Sequence, residues 1–148
     1  MALSHHSLVA WQRADDLFVR LHQLSFKSFP AHERFELGQQ MRRAAYSVAA
    51  NIVEGFARRH HRARRHFLNI AESSLAEVGY CVHVAHRLGY VTADIASEIE
   101  IEIKRTAAPL VGLIRAMNVN SYSDDRPTCP TRPIQSKPAR ENGPARRR

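Results

Sequence analysis

Apolar residues recur three or four positions apart through most of this 148-residue chain, the spacing of one buried face on an α-helix. In the first run, from about Leu8 to Phe26, Trp11, Ala14, Leu17, Phe18, Leu21 and Leu24 form a stripe. FKSFPAHE interrupts it: Pro30 suits the first turn of a following helix, and Phe29 before it is held extended. The second run, from about Ala31 to Arg58, sets Leu37, Met41, Ala44, Ala45, Val48, Ile52 and Phe56 on one face, broadened by Ala49 and Ala50. A helix of that length spans roughly 40 Å, and its small residues admit neighbours on more than one side. The third run, from about Arg62 to Leu88, carries Phe67, Ala71, Ser74, Leu75, Val78, Cys81, Val82 and Ala85, with Gly89 as a left-handed cap. The fourth begins after Thr92, an N-cap residue with Asp94 in the first turn, and continues through Ile95, Ile99, Ile103, Ala107, Leu110, Ile114 and Met117. Pro109 interrupts it and predicts a bend near Arg105.

The periodicity stops after Asn118. The pattern therefore predicts an all-α protein, an antiparallel up-down four-helix bundle over residues 1–118, followed by a disordered Pro/Arg-rich tail over 119–148. That tail holds five of the seven prolines, and its basic residues exceed its acids by four, half of the formal charge of +8. A pI near 10.3 points to polyanionic partners, RNA or DNA, without implying sequence specificity. The two cysteines, Cys81 and Cys129, have no disulfide or zinc spacing and fit a reducing cytosol. MALSHHSLVAW lacks the basic and apolar regions of a signal peptide, and no apolar run is long enough to span a bilayer. A cytoplasmic protein with no membrane partner is expected.

On a helical projection of the second run, Gln40, Arg43, Ser47, Asn51, Glu54 and Arg58 fall on one line that borders the apolar face. Glu77 on the third helix edges its own core face in the same way and is placed to receive Arg43 or Asn51. Two readings stand: a structural network fixing helix register within or between subunits, or a contact line for a ligand or nucleic acid. Catalytic chemistry is not expected. His83 and His86 lack the carboxylate of a Glu-x-x-His pair, His60, His61 and His66 lack cysteine companions, and neither HExxH nor a phosphate loop occurs. Ser74 lies on an apolar face, where a bond to a backbone carbonyl is expected. No metal and no cofactor are called for.

WQRADDL, FPAHERFELGQQ, MRRAAYSVAANIVEGFARR and FLNIAESSLAEV together resemble the four-helix bundle family encoded in intervening sequences of bacterial large-subunit (23S) ribosomal RNA genes. That family shows a tryptophan-containing first helix, an FPxxE turn and Q-x-x-R-A-x-x-S-x-x-x-N-I-x-E-G on the second helix. Gln40, Arg43, Ala44, Ser47, Asn51, Ile52, Glu54 and Gly55 match in order, as do Phe67, Leu68, Ile70, Ala71, Ser74, Leu75 and Glu77. The resemblance implies a cytoplasmic bundle that assembles into a homopentamer. It also implies kinship with the accessory proteins of diversity-generating retroelements, which bind a reverse transcriptase and nucleic acid. His60 and His61 depart from the pattern, standing where the family carries a serine-like capping residue.

Arg58 to His66, RRHHRARRH, joins the second and third helices and concentrates arginine and histidine at one corner. It is either a solvated corner or a phosphate-binding site made by Arg58, Arg59, Arg62, Arg64 and Arg65, aided by the positive end of the third helix. Without stacking aromatics in the cluster, shape or charge recognition is expected, with log K falling by roughly 0.7–0.9 per phosphate per log unit of salt. The sequence thus predicts a non-enzymatic homo-oligomer that binds RNA or other nucleic acid. The competing expectation is a protein-interaction scaffold with no nucleic-acid contact, whose subunit contacts are Gln40 to Glu54 and Glu77.

Overall fold

A computed structural model of the chain describes the backbone of residues 4–124 and the side chains of residues 5–118. Among the described residues there are four α-helices and no strand: α1 Val9–Ser28, α2 Leu37–Ala57, α3 His61–Arg87 and α4 Ala93–Asp124. Each packs on its neighbour in the chain, and α4 closes back on α1, which makes the predicted all-α four-helix bundle. Short connections force consecutive helices to run antiparallel.

The core largely follows the stripes read from the sequence, except that Leu68 on α3 is buried where Phe67 was expected. Leu17 and Leu21 of α1, Met41, Val48 and Ile52 of α2, Leu68 and Val78 of α3, and Ile99 and Leu110 of α4 are excluded from solvent. Ala44, Ala45 and Ala49 of α2 are buried as well, so α1 and α3 both approach α2 closely.

The start of α2 departs from the expected helix at Ala31. Glu33–Phe35 forms a separate 3₁₀ turn, and Glu36 (φ −107°, ψ −102°) lies outside the helical region before α2 opens at Leu37. Side-chain anchors override local propensity here. Tyr90 Oη donates to Glu33 Oε1 at 3.1 Å, the other Glu33 oxygen accepts the Leu37 amide at 3.3 Å, and Arg42 Nη2 donates to the Arg34 carbonyl at 2.8 Å. Phe29 is extended, as Pro30 requires.

α3 ends as expected. Gly89 is left-handed (φ 75°), the Tyr90 amide donates to the Ala85 carbonyl and the Gly89 amide to the His86 carbonyl, both at 2.9 Å: a Schellman cap. Thr92 Oγ1 then accepts the Ile95 amide at 3.3 Å and opens α4.

α4 remains helical through Pro109. Proline cannot donate to the carbonyl four residues back, that of Arg105, and Arg13 Nη1 on α1 donates to this carbonyl at 2.5 Å instead. The helix also passes its expected end at Asn118 and continues to Asp124. Propagation of an existing helix does not require further apolar residues, and no Gly or Pro intervenes before Pro127. The remainder of the predicted tail, with Cys129, lies outside the described residues. No helix among the described residues is long and apolar enough to cross a membrane.

Candidate nucleic-acid interface

The corner between α2 and α3 exists because the two helices nearly touch there. A Cβ at Gly55 would stand 3.2 Å from the Arg64 carbonyl oxygen and 3.3 Å from the Phe67 Cβ, so the residue is constrained by close approach. The Arg58 amide closes α2 on the Gly55 carbonyl at 3.1 Å; Arg58 and His60 are both extended, and α3 begins at His61. His60 occupies the N-cap position without a side-chain cap. The amides of the first turn of α3 thus keep their partial positive charge facing the arginines around them.

The five guanidiniums named from the sequence separate into distinct roles. Arg58 pairs with Glu54, one turn earlier, and lies over the Phe67 ring at 5.1 Å. Arg64 lies over Phe56 at 5.1 Å and donates through Nη2 to the Arg58 carbonyl at 3.0 Å, while its buried Nε has no partner among the described residues. It clamps the first turn of α3 to the end of α2. Arg65 Nη1 donates to Asn118 Oδ1 on α4 at 3.0 Å, and His61 Nδ1 sits 3.4 Å from Met117 Sδ. Arg59 and Arg62 are exposed and make no ion pair or hydrogen bond among the described residues. Carbonyl and amide oxygens orient a guanidinium without cancelling its charge, so among the described residues Glu54 is the only carboxylate engaged by this group of five.

The polar line on α2 is a network within one chain. Gln40 Nε2 donates to Glu77 Oε1 at 2.6 Å, in place of Arg43 or Asn51. Ser47 Oγ and Ser74 Oγ are 2.8 Å apart, so Ser74 bonds a hydroxyl across the helix pair and not a backbone carbonyl. Asn51 Nδ2 donates to the Ser47 carbonyl at 2.8 Å and to its Oγ at 2.9 Å. Arg43 is exposed without a partner among the described residues, at the rim of an open groove of about 340 Å³ bounded by Gln40, Ser47 and Glu77.

A larger cleft, about 430 Å³, lies between α1 and α4, away from the corner. Its charges answer one another: Arg20 Nη2 meets Glu98 at 2.6 Å and Nη1 meets Glu102. Burial works against the charge on Arg20, but the two carboxylates outweigh it and raise its pKa. Among the described residues, no group of three or more His, Cys, Asp or Glu side chains is arranged to hold a metal ion.

Sequence reasoning missed two features. Arg42 is a hub, donating to Ser25 Oγ and the Arg34 carbonyl, both at 2.8 Å, and covering Phe26 at 4.5 Å. Trp11 and Phe18, read as core, are only partly buried and lie at the α1–α2 seam, where Phe18 meets the exposed Tyr46. The signal for that seam was an aromatic spacing along α1 that the apolar stripe partly concealed.

The family model described as "23S rRNA-intervening sequence protein" matches residues 6–112. Among solved structures, the fold is similar to a crystal structure of a protein of unknown function from the S23 ribosomal protein family of Bacteroides thetaiotaomicron. The TM-score is 0.67 at 22% identity, over 72% of this chain and 99% of that one. No curated protein matches.

Proposed function

This chain belongs to the 23S rRNA-intervening sequence protein family, and from that premise we propose that it is a non-enzymatic, homo-oligomeric bundle that binds RNA or other nucleic acid electrostatically through the Arg58–His66 corner. The observation that carries this reading is the exposure of Arg59 and Arg62 without partners among the described residues, beside a helix start that no side chain caps. Two further guanidiniums, those of Arg64 and Arg65, retain their charge while their planes are fixed. Phosphates satisfy that arrangement through bidentate contacts and relieve the repulsion among the arginines. Repetition of the corner around a ring of copies, a pentamer in the family resemblance, would multiply the effect.

The test is RNA binding by the full chain across a salt series, with the Arg59→Gln/Arg62→Gln double variant alongside. Wild-type affinity should fall steeply with salt, and the variant should bind more weakly with a log–log slope smaller by roughly 1.5–2. Binding indifferent to salt, or unchanged in the variant, would remove the corner from the account. The mass of the assembly with and without nuclease treatment reports copy number and bound nucleic acid together.

A scaffold reading draws on Arg43, which is exposed and without a partner among the described residues beside the polar groove. Here Gln40, Ser47, Asn51, Glu54 and Glu77 would order contacts to another copy or to a protein such as a reverse transcriptase. Asn51→Leu or Glu54→Leu would then alter assembly and leave RNA affinity in place.

A further inference from the structure

α1 carries a line of rings that the basic corner does not use. Trp11, Phe18, His22 and Phe26 are separated by seven, four and four residues and share one side of the helix. Tyr46 of α2 joins them, its ring centroid 5.8 Å from that of Phe18. His22 bridges onward, 5.8 Å from Phe18 and 5.2 Å from Phe26, and Arg42 closes the line over Phe26. At the other end His6 stacks on Trp11, centroids 4.8 Å apart and planes at 25°. Tyr46 is 62% exposed and Phe26 40%, so these rings present area that the core does not use. The line runs about 22 Å along α1. Because α1 and α2 are antiparallel, its Trp11 end lies at the same end of the bundle as Arg58 to His66.

We propose that this seam is a base-stacking track for single-stranded nucleic acid, entered from the guanidinium corner. The inference rests on the corner being a phosphate site and adds what the corner lacks, aromatic faces. Single-strand binding surfaces combine a cationic path for the backbone with rings on which successive bases lie. Here the rings alternate with cationic or protonatable groups, Arg42 and His22 within the line and His6 at its end. Asp15 is the one acid on this side of α1. Rings beside arginine also suit the centre of a protein–protein contact; the guanidinium corner at the Trp11 end is what favours a polyanion here. A duplex keeps its base faces covered, so the track selects single strands.

Trp11 is the only tryptophan in the chain and reports directly on the track. The experiment titrates the full chain with a short oligouridylate, and separately with the same strand annealed to oligoadenylate, following Trp11 emission and affinity. The single strand should quench Trp11; the duplex should bind through the corner and leave emission nearly constant. Tyr46→Ala and Phe26→Ala, each at an exposed ring, should weaken the single strand roughly five- to tenfold per ring and leave the duplex unchanged. Arg59→Gln/Arg62→Gln should weaken both. Equal affinity of the ring variants and wild type for the single strand overturns the track while the corner stands. Duplex binding that survives the arginine changes overturns the corner instead. A lower assembly mass in the ring variants would show the seam covered by another copy of the chain, which also overturns the track.

Discussion

At the scale of single residues, the fold sets chemistry as well as packing. Cys81, in the core on α3, is almost wholly excluded from solvent. Burial first, and the nearby Glu77 carboxylate second, push its thiol up to about 11. Thiolate is the reactive form, so in a Cys129→Ser variant the native protein should resist alkylation at pH 8, where about a thousandth of Cys81 is ionised. Unfolding in urea should release the reaction. The linkage has a definite sign: the folded pKa lies above the unfolded value, so this thiol's contribution to stability is intact below about 9 and lost as pH rises towards 11. Rapid alkylation under native conditions would contradict this placement. The sequence put Cys81 on the apolar face and Glu77 one turn before it by spacing alone, but the depth of burial, the larger cause of the shift, came only with the packing of the helices. Gly55 is similar: its place beside Glu54 was legible, whereas its cause, the Arg64 carbonyl across the corner, was not.

At the scale of elements, helices were legible where periodicity and caps agreed. Gly89 and Thr92 bracket the α3–α4 turn as their chemistry requires. The error at the start of α2 came from tertiary bonds, since no local rule foretells that Tyr90 and Arg42 will hold the Glu33–Phe35 turn apart from the helix. Pro109 shows the same limit from the other side. An interior proline leaves the Arg105 carbonyl without its helical donor, and Arg13 supplies one from α1. The two residues should therefore be energetically coupled. In a double-mutant cycle followed by urea denaturation, Arg13→Ala should cost about 1 kcal/mol with proline in place. It should cost markedly less in a Pro109→Ala background, where the amide at 109 takes over the carbonyl. Equal costs in both backgrounds would mean that the Arg13 bond contributes nothing measurable.

At the scale of the whole molecule, charge is segregated along the bundle. Antiparallel order puts the start of α4, with Asp94, Glu98, Glu100 and Glu102, towards the end opposite the Arg58–His66 corner, about 40 Å away along α3. A Debye length of about 8 Å at physiological salt means those acids cannot neutralise the corner, and Glu98 and Glu102 are already engaged by Arg20. The corner's cations must therefore repel one another and oppose the positive end of α3 whenever no anion is present. Removing two of them should have opposite effects on stability and on binding. The Arg59→Gln/Arg62→Gln protein should be more stable than wild type by about 0.5–1 kcal/mol at low ionic strength, and the gain should shrink as salt is added. The same change should weaken RNA binding. By contrast, Arg64→Gln should destabilise the fold, because Arg64 ties the start of α3 to the Arg58 carbonyl and covers Phe56. Thermal denaturation of the three proteins at low and high salt decides the matter: a solvated corner with no anion to meet gives no reason for residues that cost stability to be the ones RNA binding needs. Loss of stability in the Arg59/Arg62 double variant would show that these side chains hold the bundle together, and the binding surface would have to be sought elsewhere.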